Sequence, residues 1–383
     1  MSGNKSKWVA TAVAGIVLAA GGTFAVVQTS SAGIEHEQSP QPASPWQAVA
    51  NPVTKGDLTA ITALADNDVY AVGYRTLTLT DVEAVLLHWD GVAWTQHSTL
   101  PRNSFPQGLS VRSATDIWAV GAGSAHWDGT AWTNIPLGAP PGPPPPGTPP
   151  GPPPPRIVPD VVATAPDGSA WLAGRQAPGS IKDGVPAVAA FDGTKWVQQT
   201  LPADLGKGEL TGISLVSKTD IWVAGSTFAA TAADAAKPLL LHWDGTAWSK
   251  VDAPTVPGNP TWLTGVTAFS ANDVWAVGAT YGPQGDLPYA LHYDGRKWTV
   301  TVAPPVPDGR LRAVGRTASG QIWALGGKGA ATVALRWTGR AWQQEPAPDL
   351  VLRAFTTVPG SGSLWAVGVE KDQDLIPRIV KLR

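Results

Sequence analysis

Apolar positions along this chain come in short runs that alternate with polar or small residues, and each run stops at a cluster of Gly, Pro, Asn, Asp or Ser. Period-two alternation in short runs predicts β-strands, and nothing after residue 45 sustains the 3.6-residue period of an amphipathic helix. The runs also repeat. An aromatic, two small or aliphatic residues and a glycine recur as Tyr70–Gly73, Trp118–Gly121, Trp171–Gly174, Trp222–Gly225, Trp275–Gly278, Trp323–Gly326 and Trp365–Gly368. Successive copies lie 42 to 53 residues apart, the size of one four-stranded propeller blade.

A second signature follows the first six: aromatic, Asp-Gly, two residues, Trp. It runs Trp89-Asp90-Gly91 with Trp94, Trp127-Asp128-Gly129 with Trp132, and Trp243-Asp244-Gly245 with Trp248. Phe191 with Trp196 and Tyr293 with Trp298 are weaker copies, and Trp337-Thr338-Gly339 with Trp342 has lost the aspartate. Asp-Gly between apolar runs predicts a tight hairpin with positive φ at both central positions. In the fifth unit the expected strands are Leu263–Phe269, Val274–Ala279, Tyr289–Tyr293 and one opening near Trp298.

The seventh unit is incomplete: Pro377–Leu382 is its last run, and no Trp-bearing fourth strand follows. At the other end, Trp46 precedes Tyr70 by 24 residues, a fourth-strand spacing with no first three strands before it. The expected fold is therefore all-β, a seven-bladed β-propeller whose N-terminal strand closes the last blade and hides an otherwise unpaired edge. One junction, Trp132 to Trp171, is too long by at least 12 residues, and the excess is a polyproline insertion at 139–155.

The order of glycine-ending second strand, aromatic-Asp third strand and Trp-bearing fourth strand resembles a kelch repeat, the unit of galactose-oxidase-like propellers. The resemblance covers Trp46 to Arg383. It departs in having paired glycines only at Gly326-Gly327 and a shorter aromatic-to-Trp spacing. The pattern is also similar to repeats in exported propellers of high-GC bacteria. The copper chemistry of galactose oxidase, which needs a cysteine-crosslinked tyrosine, is excluded because this chain has no cysteine.

Composition narrows the rest. Formal net charge is -2 with 15% charged residues, so there is no global basic surplus to hold a nucleic-acid backbone, and no nucleic-acid partner is expected. Without cysteine there are no disulfides, thiolate metal sites or thiol nucleophiles. Lys5 and Lys7 precede an apolar stretch from Trp8 to Val27, and Ser30-Ser31-Ala32 offers a cleavage site. Residues 1–32 are expected to be a signal peptide, or an uncleaved anchor that would be the chain's one membrane contact. Residues 33–44 are expected to be a flexible lead-in to the propeller at 45–383.

His88, His126, His242 and His292 share one repeat position, so they are expected to be spread around the ring rather than converging on a metal. Asp68, Asp116, Asp220 and Asp273 precede the second strands and are expected to bond nearby turn backbone. The repeated tryptophans are expected as core between blades. Trp262 has no counterpart in other units and is, of the tryptophans, the first candidate for exposed contact. The position opening each first strand does not repeat: Thr59, Gln107, Asp160, Thr211, Thr264, Arg312 and Arg353. These should ring one channel mouth, with Arg310 nearby, and Arg312 with Arg353 form a pair able to grip a carboxylate or sulfate. The second-to-third connections on the same face vary from 7 to 19 residues between the signature glycine and the turn.

Asp160 has no evident acidic partner, and no cofactor, metal or catalytic set is read here. The expectation is a monomeric, non-catalytic exported propeller binding a glycan, an anionic polymer or a protein surface. Ligand-binding residues would be Arg312, Arg353, Arg310, Asp160, Gln107 and Trp262. The alternatives are a glycan-acting hydrolase or lyase at the channel mouth, and a surface or spore-coat scaffold.

Overall fold

The structure is a computed structural model that describes residues 44–382, apart from 79–80, 102–103, 138–155, 178–182, 229–234, 284, 329–330 and 372–374. The expected signal segment, most of the expected lead-in and the proline insertion lie outside the described residues. The described chain forms seven four-stranded antiparallel sheets. Six are built from consecutive strands; the seventh pairs Trp46–Val49 with Pro377–Leu382, in the register Trp46↔Leu382 to Val49↔Ile379. First strands of successive blades lie against one another around the ring, including the last against the first. The expected seven-bladed, terminus-closed propeller is the observed fold.

Fifth-blade strands run Thr261–Ser270, Asp273–Gly282, Gly285–Tyr293 and Trp298–Val300, longer toward the variable face than the apolar pattern alone marks. The Asp-Gly hairpins differ from expectation in one respect. Trp89 pairs with Trp94, so the loop has four residues, and its glycine has positive φ while the aspartate does not. Asp90 instead accepts hydrogen bonds from the amides of Val92 and Ala93. The same capping recurs at Asp128, Asp192, Asp244 and Asp294.

Aromatic residues hold the blades together. The signature Trp118 lies 5.1 Å from the fourth-strand Trp196 of the next blade; Trp171 with Trp248, Trp222 with Trp298, Trp275 with Trp342 and Trp365 with Trp94 repeat the contact at 5.4 to 6.0 Å. Trp46 takes the same slot in the closing blade, buried at 6% exposure, its Nε1 donating to the Pro346 carbonyl. Each such ring removes about 150–250 Å² from water, roughly 4–6 kcal/mol gross. The seams are the core of this fold.

Candidate functional site at the channel mouth

The signature glycine and the irregular column are two sides of one backbone feature. In every blade the first strand carries a β-bulge opposite the signature glycine. Leu58 pairs with Gly73 and Ala60 with Val72, leaving Thr59 unpaired. Gln107, Asp160, Thr211, Thr264, Arg312 and Arg353 are the skipped residues of the other six blades. The bulge pushes a carbonyl against the glycine: a Cβ on Gly278 would lie 2.0 Å from the Trp262 oxygen, and one on Gly73 2.1 Å from that of Asp57. No larger residue fits there. A bulge re-aims its side chain, so one device repeated around the ring presents seven side chains near the start of the first strands, on the face of the variable connections.

Four of the seven are engaged in stitching blades. Thr59 donates to the Pro106 carbonyl of blade two at 2.8 Å, Thr211 to Leu263 of blade five at 3.2 Å, and Thr264 to Leu311 of blade six. Arg353 also reaches the next blade, donating from Nε to Asp57 at 2.8 Å. Asp57 is 5% exposed, and burial raises its carboxyl above the ordinary aspartate value although Arg353 pulls it down. Arg310 donates to the buried Asp286 at 2.9 Å, and its guanidinium stands 4.9 Å over the ring of Trp262. Trp262 is accordingly half-buried rather than free, with no partner for its Nε1.

Arg312 is different. Among the described residues it forms no ion pair, its buried Nε has no hydrogen-bond partner, and the cations Arg353 and Arg310 act on it. Burial and those like charges pull its guanidinium below the usual arginine value; it still carries charge at any ordinary pH. The expected arginine clamp is thus one uncommitted guanidinium flanked by two neutralised ones.

Blades three and four supply the opposite sign. Arg175, on the second strand of blade three, donates from a single Nη1 to Asp160 at 3.2 Å and to Glu209 of blade four at 3.0 Å. Burial pushes the Asp160 carboxyl up to about 6; Arg175 opposes this and the Glu209 charge adds to it. Asp160 therefore has an acidic neighbour that its own column does not contain. Glu209 lies two residues before the blade-four bulge, as Asp57, Trp262 and Arg310 do in theirs. Gln107 is exposed, without a bond to another described side chain.

The four histidines do not converge. Each donates from Nε2 to the aspartate of its own blade: His88 to Asp68, His126 to Asp116 and His242 to Asp220 at 2.8 Å, His292 to Asp273 at 2.9 Å. Three stack on the signature tryptophan at 4.3 Å, and His88 lies 4.5 Å from Tyr70. This corrects the turn-capping role expected for those aspartates. They anchor histidines on the third strand, across the sheet.

No protein-family model matches the chain, and no curated protein matches it by sequence. Solved structures do match. A catalytically inactive virginiamycin B lyase from Staphylococcus aureus with quinupristin is 12% identical at a TM-score of 0.61, covering 88% of this chain and 99% of that one. YCF48 bound to a peptide is 14% identical at 0.55, over 88% and 96%. The WD40 β-propeller domain of Doa1 is 12% identical at 0.55, over the same shares. At such identities the matches share the fold: the chain is a seven-bladed β-propeller, similar in fold to a peptide-bound propeller, a WD40 propeller and a lyase alike.

Proposed function

We propose that this chain is an exported, non-catalytic binding propeller that takes an anionic group of a glycan or other polymer at the variable-loop mouth. The observation carrying the reading is Arg312, a cation aimed by a bulge, with no acidic partner, in a ring where the other charged members are paired. Retaining a half-buried cation without a counter-ion costs stability unless a ligand offsets it. Arg310 and Arg353, held by Asp286 and Asp57, fix the walls beside it, and Trp262 offers an apolar ledge under Arg310. Peptide-bound YCF48 makes a protein ligand a compatible form of the same reading. Export follows from the basic and apolar N-terminal segment. The kelch-like repeat order fits a rigid ring whose chemistry lies in its connections.

An array of acidic and neutral polysaccharides probed with the secreted protein tests this. Retention of acidic polymers, lost on Arg312→Gln, is the expected pattern; equal retention of neutral polymers contradicts it.

A second reading, a glycan-acting enzyme, is favoured by one observation: Asp160, held protonated to about pH 6, shares Arg175 with Glu209. A raised acid beside a carboxylate is the usual equipment of glycoside cleavage. Release of reducing ends from a bound polymer, abolished by Asp160→Asn, would establish this reading in place of the first.

A further inference from the structure

The seam between blades six and seven lacks a side chain that the other seams have. In five of them the signature aromatic of one blade touches the third-strand aromatic of the next as well as its fourth-strand Trp. These contacts are Trp365 with Trp89, Trp118 with Phe191, Trp171 with Trp243, Trp222 with Tyr293 and Trp275 with Trp337, at 4.7 to 5.8 Å. At the first seam Tyr70 packs in one cluster with Trp127 and Trp132. All six signature aromatics so covered are between 0% and 7% exposed.

At the last seam Trp46 supplies the fourth-strand ring, but its cross-strand partner is Leu382 where Trp94 faces Trp89. The signature Trp323 is not fully buried there. A cavity of about 300 Å³ stands beside it, lined by Trp323, Leu382, Leu364, Pro45 and Pro346, with the Arg336–Glu345 ion pair, closed at 2.7 Å, at its edge. It adjoins the first-to-second turn at Gly362, on the face opposite the arginine mouth.

We infer that this cavity is a docking slot for an aromatic side chain of a partner protein. The occupant's chemistry is set by the repeat: at the equivalent place the other blades carry Trp, Phe or Tyr. The apolar lining matches, with a tryptophan face and two prolines, and buried aromatic anchors dominate protein interfaces. The adjoining lead-in, residues 33–44, contains no Phe, Trp or Tyr, the residue types that fill this place in the other blades. Leu382 stands where the other blades place the ring, so the gap comes from that one residue.

The probe is 5-fluoroindole, titrated against the full chain and followed by ¹⁹F NMR. A saturable shift is expected for the native protein. Leu382→Trp, which rebuilds the missing ring, is expected to abolish the shift and raise the melting temperature, and Leu382→Phe to do both more weakly. No saturable shift with the native protein overturns the inference, as does binding that survives both substitutions.

Discussion

Arg353 donates from Nε to the carboxylate of Asp57 at 2.8 Å across a separation of 296 residues, joining the last blade to the first beside the channel. Asp57 is almost fully buried and has one oxygen without a hydrogen-bond partner, so Arg353 is what balances its charge. Arg353 and Arg312 occupy equivalent bulges and do different work. Arg353→Ala should lower stability by roughly 1–3 kcal/mol, the cost of leaving a buried carboxylate without its donor. Arg312→Gln should leave stability unchanged or raise it. Chemical denaturation of both variants checks this; equal destabilisation would show the two arginines to be equivalent.

The closure itself is tested at Trp46. Trp46→Ala should cost roughly 3–5 kcal/mol, typical of a buried tryptophan, and deleting Ser44–Asn51 should lower the melting temperature of the whole ring by many degrees. A deletion variant melting within a degree or two of the parent would mean that the N-terminal strand is an accessory.

Asp160 predicts a pH dependence with a definite sign. Its carboxyl lies near 6 in the folded chain against an ordinary 3.8. Between those values the native state holds a proton that the unfolded chain has released, so this group's contribution falls as pH rises and levels off above about 6. Asp160→Asn should therefore gain on the parent as pH climbs from about 4 to 6.5, by about 1–3 kcal/mol in total. Melting curves across that range check it; a difference that does not change with pH contradicts it.

The His–Asp pairs predict coupling within a blade. Removing Asp116 strands both His126 and Arg112, which bond its two oxygens at 2.8 and 2.6 Å. A double-mutant cycle on Asp116→Ala and His126→Ala should give a coupling of about 1 kcal/mol. Additive losses would show that stacking on Trp118 alone holds the histidine.

Much of this was legible in the repeat. The signatures, their spacing and the orphan Trp46 specify seven blades and their closure, because Trp seams and hairpin glycines recur at fixed intervals. The His–Asp pairs left a signal too: blades one, two, four and five carry both residues, while blades three, six and seven carry neither. Two residues lost together across repeats are in contact. The bulge column was visible only as a position that fails to repeat. Its partners were not visible at all, since Asp57, Glu209 and Arg175 are brought there by ring geometry from neighbouring blades or strands. Whether an arginine is committed or free depends on such contacts, so Arg312 and Arg353 look alike in sequence and differ in space.

The central claim is that Arg312 is an anion contact. Titrating the protein with polygalacturonate and with dextran sulfate, neutral dextran serving as control, tests it most directly. Arg312→Gln should weaken binding of the acidic polymers by roughly tenfold to a hundredfold, the worth of a hydrogen-bonded charge contact, without lowering the melting temperature, and binding should weaken as salt rises. An acidic polymer that binds the Arg312→Gln protein with parental affinity would contradict the account and move the site away from the channel mouth.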